Sequence, residues 1–430
     1  MIQRDGRLIG EQREPGRGIR LPQSAARAIL ALVLIVTFSA GAGVERLGLL
    51  GEDDAGATSS LTELPAFQAL QGTWNSIHSQ YVDESAIDDE QLIYGAASGM
   101  VEALGDTGHS RFVPEDQVAA YEEALQGELV GIGLQIEFSS RNPVILAAID
   151  GSPASEAGLT GDDVILEVNG ERTDGMSQFE LSEVLRGEEG TTVDLTIERP
   201  ADARTFTVTL ERRRIEIEPV TWTMLPKNVA LIRISQFSAE TTELLVDALT
   251  SARERGATGL IVDLRDNPGG YTSQAIGVTS QFLAEGKTVF NVQERGGNVY
   301  AKSTIGHGAA VDLSMIVLIN GGSASAAEIV ASSLRDNGRT LLVGETTYGT
   351  GTQLEHIDLG DGSLLVLGTT LWLTANGEQA WHVGIEPSIE VLQQPDVEPL
   401  RPTESGDVSA EALNTTNDLQ IKRAFDELTT

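Results

Sequence analysis

Twice in this chain an apolar run of strand length empties through paired glycines into a helical segment. Residues 259–264 lead through Asp266-Asn267-Pro268-Gly269-Gly270 into a helix over about 272–283. Residues 315–319 lead through Asn320-Gly321-Gly322 into a helix that begins near Ser323 and stops at Asn337-Gly338. Continuous apolar runs bounded by glycine turns mark strands buried on both faces, and strands that alternate with helices assemble a parallel sheet. The same alternation takes in 229–234, a helix over 239–255 and a strand from 341, and ends in paired strands about the Gly360-Asp361-Gly362 turn, up to Leu373. An all-helical or all-β architecture is thereby excluded for this half of the chain. Open α/β sheets bind ligands in the loops that follow their strands, so the loops at 263–270, 320–328 and 344–351 are where chemistry is expected.

Charge narrows the partners. Against 64 Asp and Glu stand 29 Lys and Arg, a formal net charge of −35 spread along the chain, and a polyanion such as nucleic acid finds no basic groove in that composition. Cysteine is absent and only five histidines are present; disulfides, thiol nucleophiles and Cys-ligated metals are excluded, and neither a metal nor a cofactor is expected. Arginine is concentrated in one place. Residues 1–27 carry Arg4, Arg7, Arg13, Arg17, Arg20 and Arg27, and 17 uncharged residues follow at 28–44 before the acids Glu45, Glu52, Asp53 and Asp54. Such a run is long for a signal-peptide core and just sufficient for a membrane span. With arginines before it and acids after it, the segment reads as an anchor that leaves the main body outside the cell membrane. Cleavage at Ala40-Gly41-Ala42, releasing a secreted protein, is the alternative.

The remainder divides by texture. A linker at 45–60 precedes a helical domain at 61–124, where Phe67, Leu70, Trp74, Ile77 and Tyr81 recur at helical spacing. His109 falls in its Gly105–Ser110 turn phrase and reads as a turn residue. From 125 to 212 short strands alternate with glycine turns, including the tight Asn169-Gly170 turn. A core at 213–392, a Pro- and acid-rich linker at 393–416 and an amphipathic helix at 417–430 follow. The order of helix, turn and strand in 125–212 resembles a PDZ domain. That resemblance implies that Gly131, Ile132, Gly133 and Leu134 form the loop whose amides hold a peptide's terminal carboxylate while the peptide adds to the sheet edge.

At 323–328 the sequence reads Ser323-Ala324-Ser325-Ala326-Ala327-Glu328. A helix start offers unpaired N–H groups and a positive dipole end, so a serine there can attack a carbonyl while the next backbone N–H stabilises the oxyanion. Serine is also a common N-cap, and position alone leaves both readings open.

Taken with Tyr81-Val82-Asp83, the PDZ-like module, Ile232-Arg233-Ile234-Ser235-Gln236-Phe237, the 263–270 motif and Gly384-Ile385-Glu386-Pro387, the series resembles the carboxyl-terminal processing proteases, serine endopeptidases of family S41. The resemblance implies a multidomain α+β protein: membrane helix, small helical domain, PDZ domain and a ClpP/crotonase-like α/β core that cleaves near the C-terminal tails of exported proteins. It assigns Ser325 as nucleophile and the amides of Ala326 and Gly270 as the oxyanion hole, and it leaves room for a homo-oligomer. One position departs. The family places a lysine general base 25 residues after the serine, in a Phe-Gly-Lys-Gly string; here the string is Tyr348-Gly349-Thr350-Gly351. The glutamine expected four residues beyond the lysine is displaced too, with Gln353 ahead of Leu354. A threonine hydroxyl does not accept the serine proton at neutral pH. Three outcomes follow: another base, with His356 first and His382 or Lys302 behind it; weak proteolysis supported by binding and the oxyanion hole; or a pseudoprotease that holds tails without cutting them.

Overall fold

The computed structural model describes residues 61–105, 110–125, 128–137, 142–149, 151–176, 178–394, 397, 399–402 and 407–430. The basic tail at 1–27, the anchor or signal segment at 28–44, the linker at 45–60 and His109 lie outside the described residues. Among the described residues no helix is long and apolar enough to cross a membrane.

The chain divides into two compact units, 1–87 and 88–430. Within the first, the helix Phe67–Gln80 carries the expected apolar spacing, and none of its residues is buried. The stretch 61–124 is not wholly helical. Arg111–Val113 is a strand paired antiparallel with Leu364–Leu373, too short for any periodicity to betray it, and the helices Asp89–Glu102 and Glu115–Leu125 flank it in the second unit.

In the second unit a six-stranded sheet runs in the order Val220–Leu225, Val229–Ile234, Gly259–Asp263, Ser314–Ile319, Leu341–Gly344, Ile389–Glu390, parallel from the second strand onward. Alternate residues serve opposite faces, as the pleat requires. Ile232, Val262 and Val317 enter a core with the helices Thr241–Glu254, Thr272–Phe282 and Ala326–Asp336. Leu231, Ile261, Ile316 and Leu318 pack instead on Leu413, Ile421, Ala424 and Phe425. Those last residues lie on the helices Ala410–Thr415 and Leu419–Thr429. The expected linker at 393–416 therefore contains a helix, and its Leu400 and Val408 pack on the same apolar cluster. A second sheet is built from Arg111–Val113, Leu364–Leu373, Thr288–Glu294 and Val299–Ser303, with Thr352–Asp358 along the other side of Leu364–Leu373.

Between Arg111–Val113 and Val220–Leu225 in sequence stands a small β module in the order Leu134–Glu137, Val144–Ala148, Val164–Val168, Thr192–Arg199, Arg204–Glu211. Its core of Ile145, Ile165, Leu181, Leu195 and Ile197 is closed to solvent, and Asp163 and Arg199 form a buried bidentate pair at 2.6 and 2.7 Å. The Asn169-Gly170 turn has φ of 52° and 82°, the left-handed pair that a two-residue hairpin needs. A two-stranded ribbon, Glu128–Gly131 with Arg213–Glu216, brackets the module where it leaves and rejoins the chain.

Candidate active site

Three loops close over the C-terminal ends of the strands Gly259–Asp263, Ser314–Ile319 and Leu341–Gly344, and buried polar groups brace each against the next. Asn267 gives its side-chain amide to the Ile234 carbonyl at 2.7 Å and takes the Gly269 N–H at 2.8 Å. Its own carbonyl accepts the Ala324 N–H at 2.8 Å. Asn320 accepts the Asp266 N–H at 2.8 Å and donates to the Asp266 carboxylate at 2.7 Å. The Ser323 hydroxyl reaches the Leu264 carbonyl at 2.7 Å, while its carbonyl accepts the Tyr348 N–H at 3.0 Å. Buried donors and acceptors left unpaired would each cost about 1–3 kcal/mol, so this cross-bracing fixes the loops relative to one another.

Ser325 sits at the focus. The helix begins at Ala326 rather than near Ser323, and Ser325 is its N-cap with φ 53° and ψ −115°. A side-chain-bearing residue adopts that conformation only at a cost of about 1–3 kcal/mol, repaid by the surrounding structure. Gly269 presses on it: a Cβ at Gly269 would lie 2.6 Å from the Ser325 Cβ and 2.9 Å from the Ala324 oxygen. The strained turn carries Ser325 to the helix mouth, where it is partly exposed. Neither the Ala326 nor the Gly270 N–H makes a backbone hydrogen bond among the described residues. Both belong to residues that flank Ser325, one by chain and one through the Gly269 contact, and both are available to a developing negative charge.

Behind Ser325 lies Glu328, fully buried. Its Oε2 accepts the Ser325 N–H at 2.9 Å, the Thr350 N–H at 3.0 Å and the Thr350 hydroxyl at 2.8 Å. Its Oε1 accepts the Gly349 N–H at 2.8 Å and the Thr347 hydroxyl at 2.5 Å. Burial pushes this carboxyl above its ordinary range, and the hydroxyls and amides offset only part of that. Thr350 is 5% exposed and its oxygen also accepts the Ser325 N–H at 2.9 Å. The hydroxyl proton is thus committed to Glu328 and a lone pair to Ser325, which makes Thr350 a pin between turn and helix. Glu328 and Thr347 were not singled out from sequence, although Ser325-x-x-Glu328 carries the capping-box spacing that could have pointed to Glu328.

Of the other expected residues, Gln353, His356 and Lys302 make their contacts elsewhere. Gln353 accepts the Thr370 hydroxyl at 3.2 Å across the hairpin, beside a register shift between Gln353 and Leu354. His356 makes no hydrogen bond to Ser325 among the described residues. Six residues beyond Thr350 along an extended chain, at roughly 3.3 Å per residue, it is displaced by as much as about 20 Å. There its Nε2 lies 3.0 Å from the Tyr121 hydroxyl with the rings edge to face. Lys302 lies on the exposed strand Val299–Ser303 with its ammonium over the Tyr300 ring.

In the β module, Leu134–Glu137 is an edge strand, paired on one side with Val144–Ala148. The preceding loop is tied down through its carbonyls, Ile132 accepting the Ala154 N–H at 3.0 Å and Gly133 the Ile149 N–H at 2.9 Å. The amides of Ile132 and Gly133 make no backbone hydrogen bond among the described residues.

A strained serine at a helix mouth, unpaired amides beside it and an open-edged peptide-type module together define a serine-hydrolase-type α/β core coupled to a PDZ domain. The comparisons make the class specific. Residues 228–391 match Peptidase family S41 and residues 144–199 match the PDZ domain. The chain is 35% identical over 335 residues to the carboxy-terminal processing protease CtpA of Bacillus subtilis, covering 78% of this chain and 71% of that protein. It is 31% identical over 335 residues to CtpB of the same organism, covering 77% and 68%. The solved structure of a photosystem II D1 C-terminal processing protease superposes with a TM-score of 0.63 at 27% identity, covering 77% of this chain and 94% of that one. The chain belongs to the carboxy-terminal processing proteases of peptidase family S41.

Proposed function

We propose that this chain is an endopeptidase, tethered to the cell membrane by residues 28–44 with its body outside the cytoplasm, that cuts exported proteins near their C-terminal tails. The tail adds as a strand to Leu134–Glu137, its carboxylate facing the amides of the 131–134 loop. A peptide bond upstream of it reaches Ser325. The Ser325 oxygen attacks the carbonyl, and the oxyanion is held by the Gly270 and Ala326 N–H groups. Loss of the amine leaves an acyl-enzyme, which water then hydrolyses.

The observation that supports the reading best is the Ser325 backbone. A residue with φ 53° jammed against Gly269 is a poor choice for a simple helix cap, and strain of this kind gathers at sites where it serves chemistry. A second reading has its own support: both roles of the Thr350 hydroxyl are taken, and no amine occupies the place the family gives to lysine, which suits a pseudoprotease that holds tails uncut. A peptide with a free C-terminus separates the two. The wild-type chain is expected to cleave it, Ser325→Ala to bind it without turnover, and Thr350→Lys to cleave it at least as fast as wild type. Binding with no turnover by the wild type would establish the holding function instead.

A further inference from the structure

The preceding reading leaves Ser325 without an activator, and this inference deepens it by asking which group of the chain takes the serine proton. The turn that carries Thr350 is covered by a second turn, 380–384, and the two pack backbone against backbone. The His382 N–H donates to the Gly349 carbonyl at 2.9 Å. A Cβ at Gly351 would lie 2.2 Å from the Trp381 Cβ, so only glycine admits Trp381 there. His382 is therefore joined to Ser325 by a short chain of contacts: Ser325 N–H to Thr350, and Gly349, its neighbour, to His382.

Three observations single His382 out. It sits at φ 59°, outside the region that side-chain-bearing residues favour, on a segment held over the site. Its imidazole is exposed, stacked on Trp381 with centroids 4.8 Å apart, and makes no hydrogen bond among the described residues. The other two bases expected from sequence are engaged elsewhere: His356 against Tyr121 and Lys302 over Tyr300.

We propose that His382 is the catalytic base of this peptidase, its ring turning about χ1 from the Trp381 stack toward Ser325 when a substrate fills the cleft. A free ring nitrogen takes the proton of the Ser325 hydroxyl as the oxygen bonds to the peptide carbonyl carbon, whose π pair moves to its oxygen. The imidazolium returns that proton to the amine as the C–N bond breaks. In the second half the imidazole takes a proton from the attacking water and gives it back to the Ser325 oxygen as the ester opens. Protons and charges balance with water as the only co-reactant. Proton transfer by a positioned side chain contributes about 10²–10⁴-fold to rate, and the turn lets one residue supply it where Thr350 supplies none.

The test uses the full chain and a peptide with a free C-terminus. His382→Asn tolerates the left-handed backbone without supplying a base; it is expected to lower kcat by about 10²–10⁴-fold and leave KM within about twofold. His382→Gly is expected to recover turnover on addition of imidazole, Thr350→Lys in the His382→Asn background to recover it without imidazole, and His356→Ala to cleave as wild type does. A wild type that cleaves while His382→Asn matches it overturns the assignment and leaves the peptidase reading standing. A wild type that fails to cleave while Thr350→Lys cleaves overturns both.

Discussion

Glu328 shows how a single residue can organise a site without touching a substrate. Its carboxylate gathers donors from three places: the Ser325 N–H, the Thr350 turn and Thr347, whose hydroxyl in turn accepts the Ile385 N–H at 2.7 Å. Among the described residues no cation pairs with it, and burial holds its pKa up. The sign of the linkage follows. A carboxyl whose folded pKa is raised contributes stability that is complete below the unfolded pKa and is lost as pH rises through the folded one. Glu328→Gln exchanges an acceptor for an N–H₂ group facing N–H and O–H donors, leaving at least one of them unpaired. It is expected to lower unfolding free energy at pH 7 by about 1–3 kcal/mol, measured by urea denaturation, and to shrink the loss of stability that the wild type shows as pH rises. A variant as stable as wild type at pH 7 would mean the donors find other partners.

At the scale of elements, the contact between the helix Glu115–Leu125 and the hairpin of Thr352–Asp358 and Leu364–Leu373 includes the pair Tyr121 and His356. Partial burial lowers the His356 pKa first, and the nearby Arg111 guanidinium adds to it. A histidine whose folded pKa is depressed stabilises the fold above its unfolded pKa, near 6.5, and that share is lost as pH falls below it. Wild type is therefore expected to lose melting temperature as pH falls below about 6.5 more steeply than His356→Gln, by calorimetry; parallel curves would disprove the coupling. The same elements show what could be read from the sequence. The parallel strands, their glycine turns and the serine at the helix mouth were legible because burial on both faces writes an unbroken apolar run. Arg111–Val113 was not, since three residues carry no period, and the pairing of His356 with Tyr121 was not, because it depends on a strand register against Leu364–Leu373 and a helix 235 positions earlier in the chain, not on local composition. The Ser325 strain was hidden as well: φ 53° follows from Gly269 crossing over from another loop, a contact 56 positions away in the chain.

Over the whole second unit, the C-terminal segment acts as a strap that ends at the loops around Ser325. Arg265, fully buried, is held bidentate by Asp263 at 2.7 and 2.9 Å and by both oxygens of Asp418 at 2.9 and 3.1 Å. Burial pushes the Asp263 carboxyl up, but the Arg265 and Arg233 guanidinium groups bring it below its usual range. Asp418 does more than pair. It caps the helix Leu419–Thr429 through the Ile421 N–H at 3.0 Å and accepts the Leu400 N–H at 2.9 Å, so one carboxylate ties the strap, the last helix and the residue that precedes the 266–270 turn. Arg401, also on the strap, reaches Asp266 at 2.7 Å at the start of that turn. Removing one partner of a buried ion pair leaves charge without compensation and costs about 3–5 kcal/mol, more than its mutual attraction contributes. Asp418→Asn is near in shape but leaves Arg265 only one full counter-charge. It is expected to lower the urea midpoint by an amount equivalent to about 3 kcal/mol with the slope unchanged, and to reduce kcat while tail binding to the PDZ module, built from separate strands, stays as it was. A lower midpoint with kcat intact would confine the strap to stability. An unchanged midpoint would mean that Asp263 alone neutralises Arg265, and that the C-terminal helix is held by its apolar face of Ile421, Ala424 and Phe425.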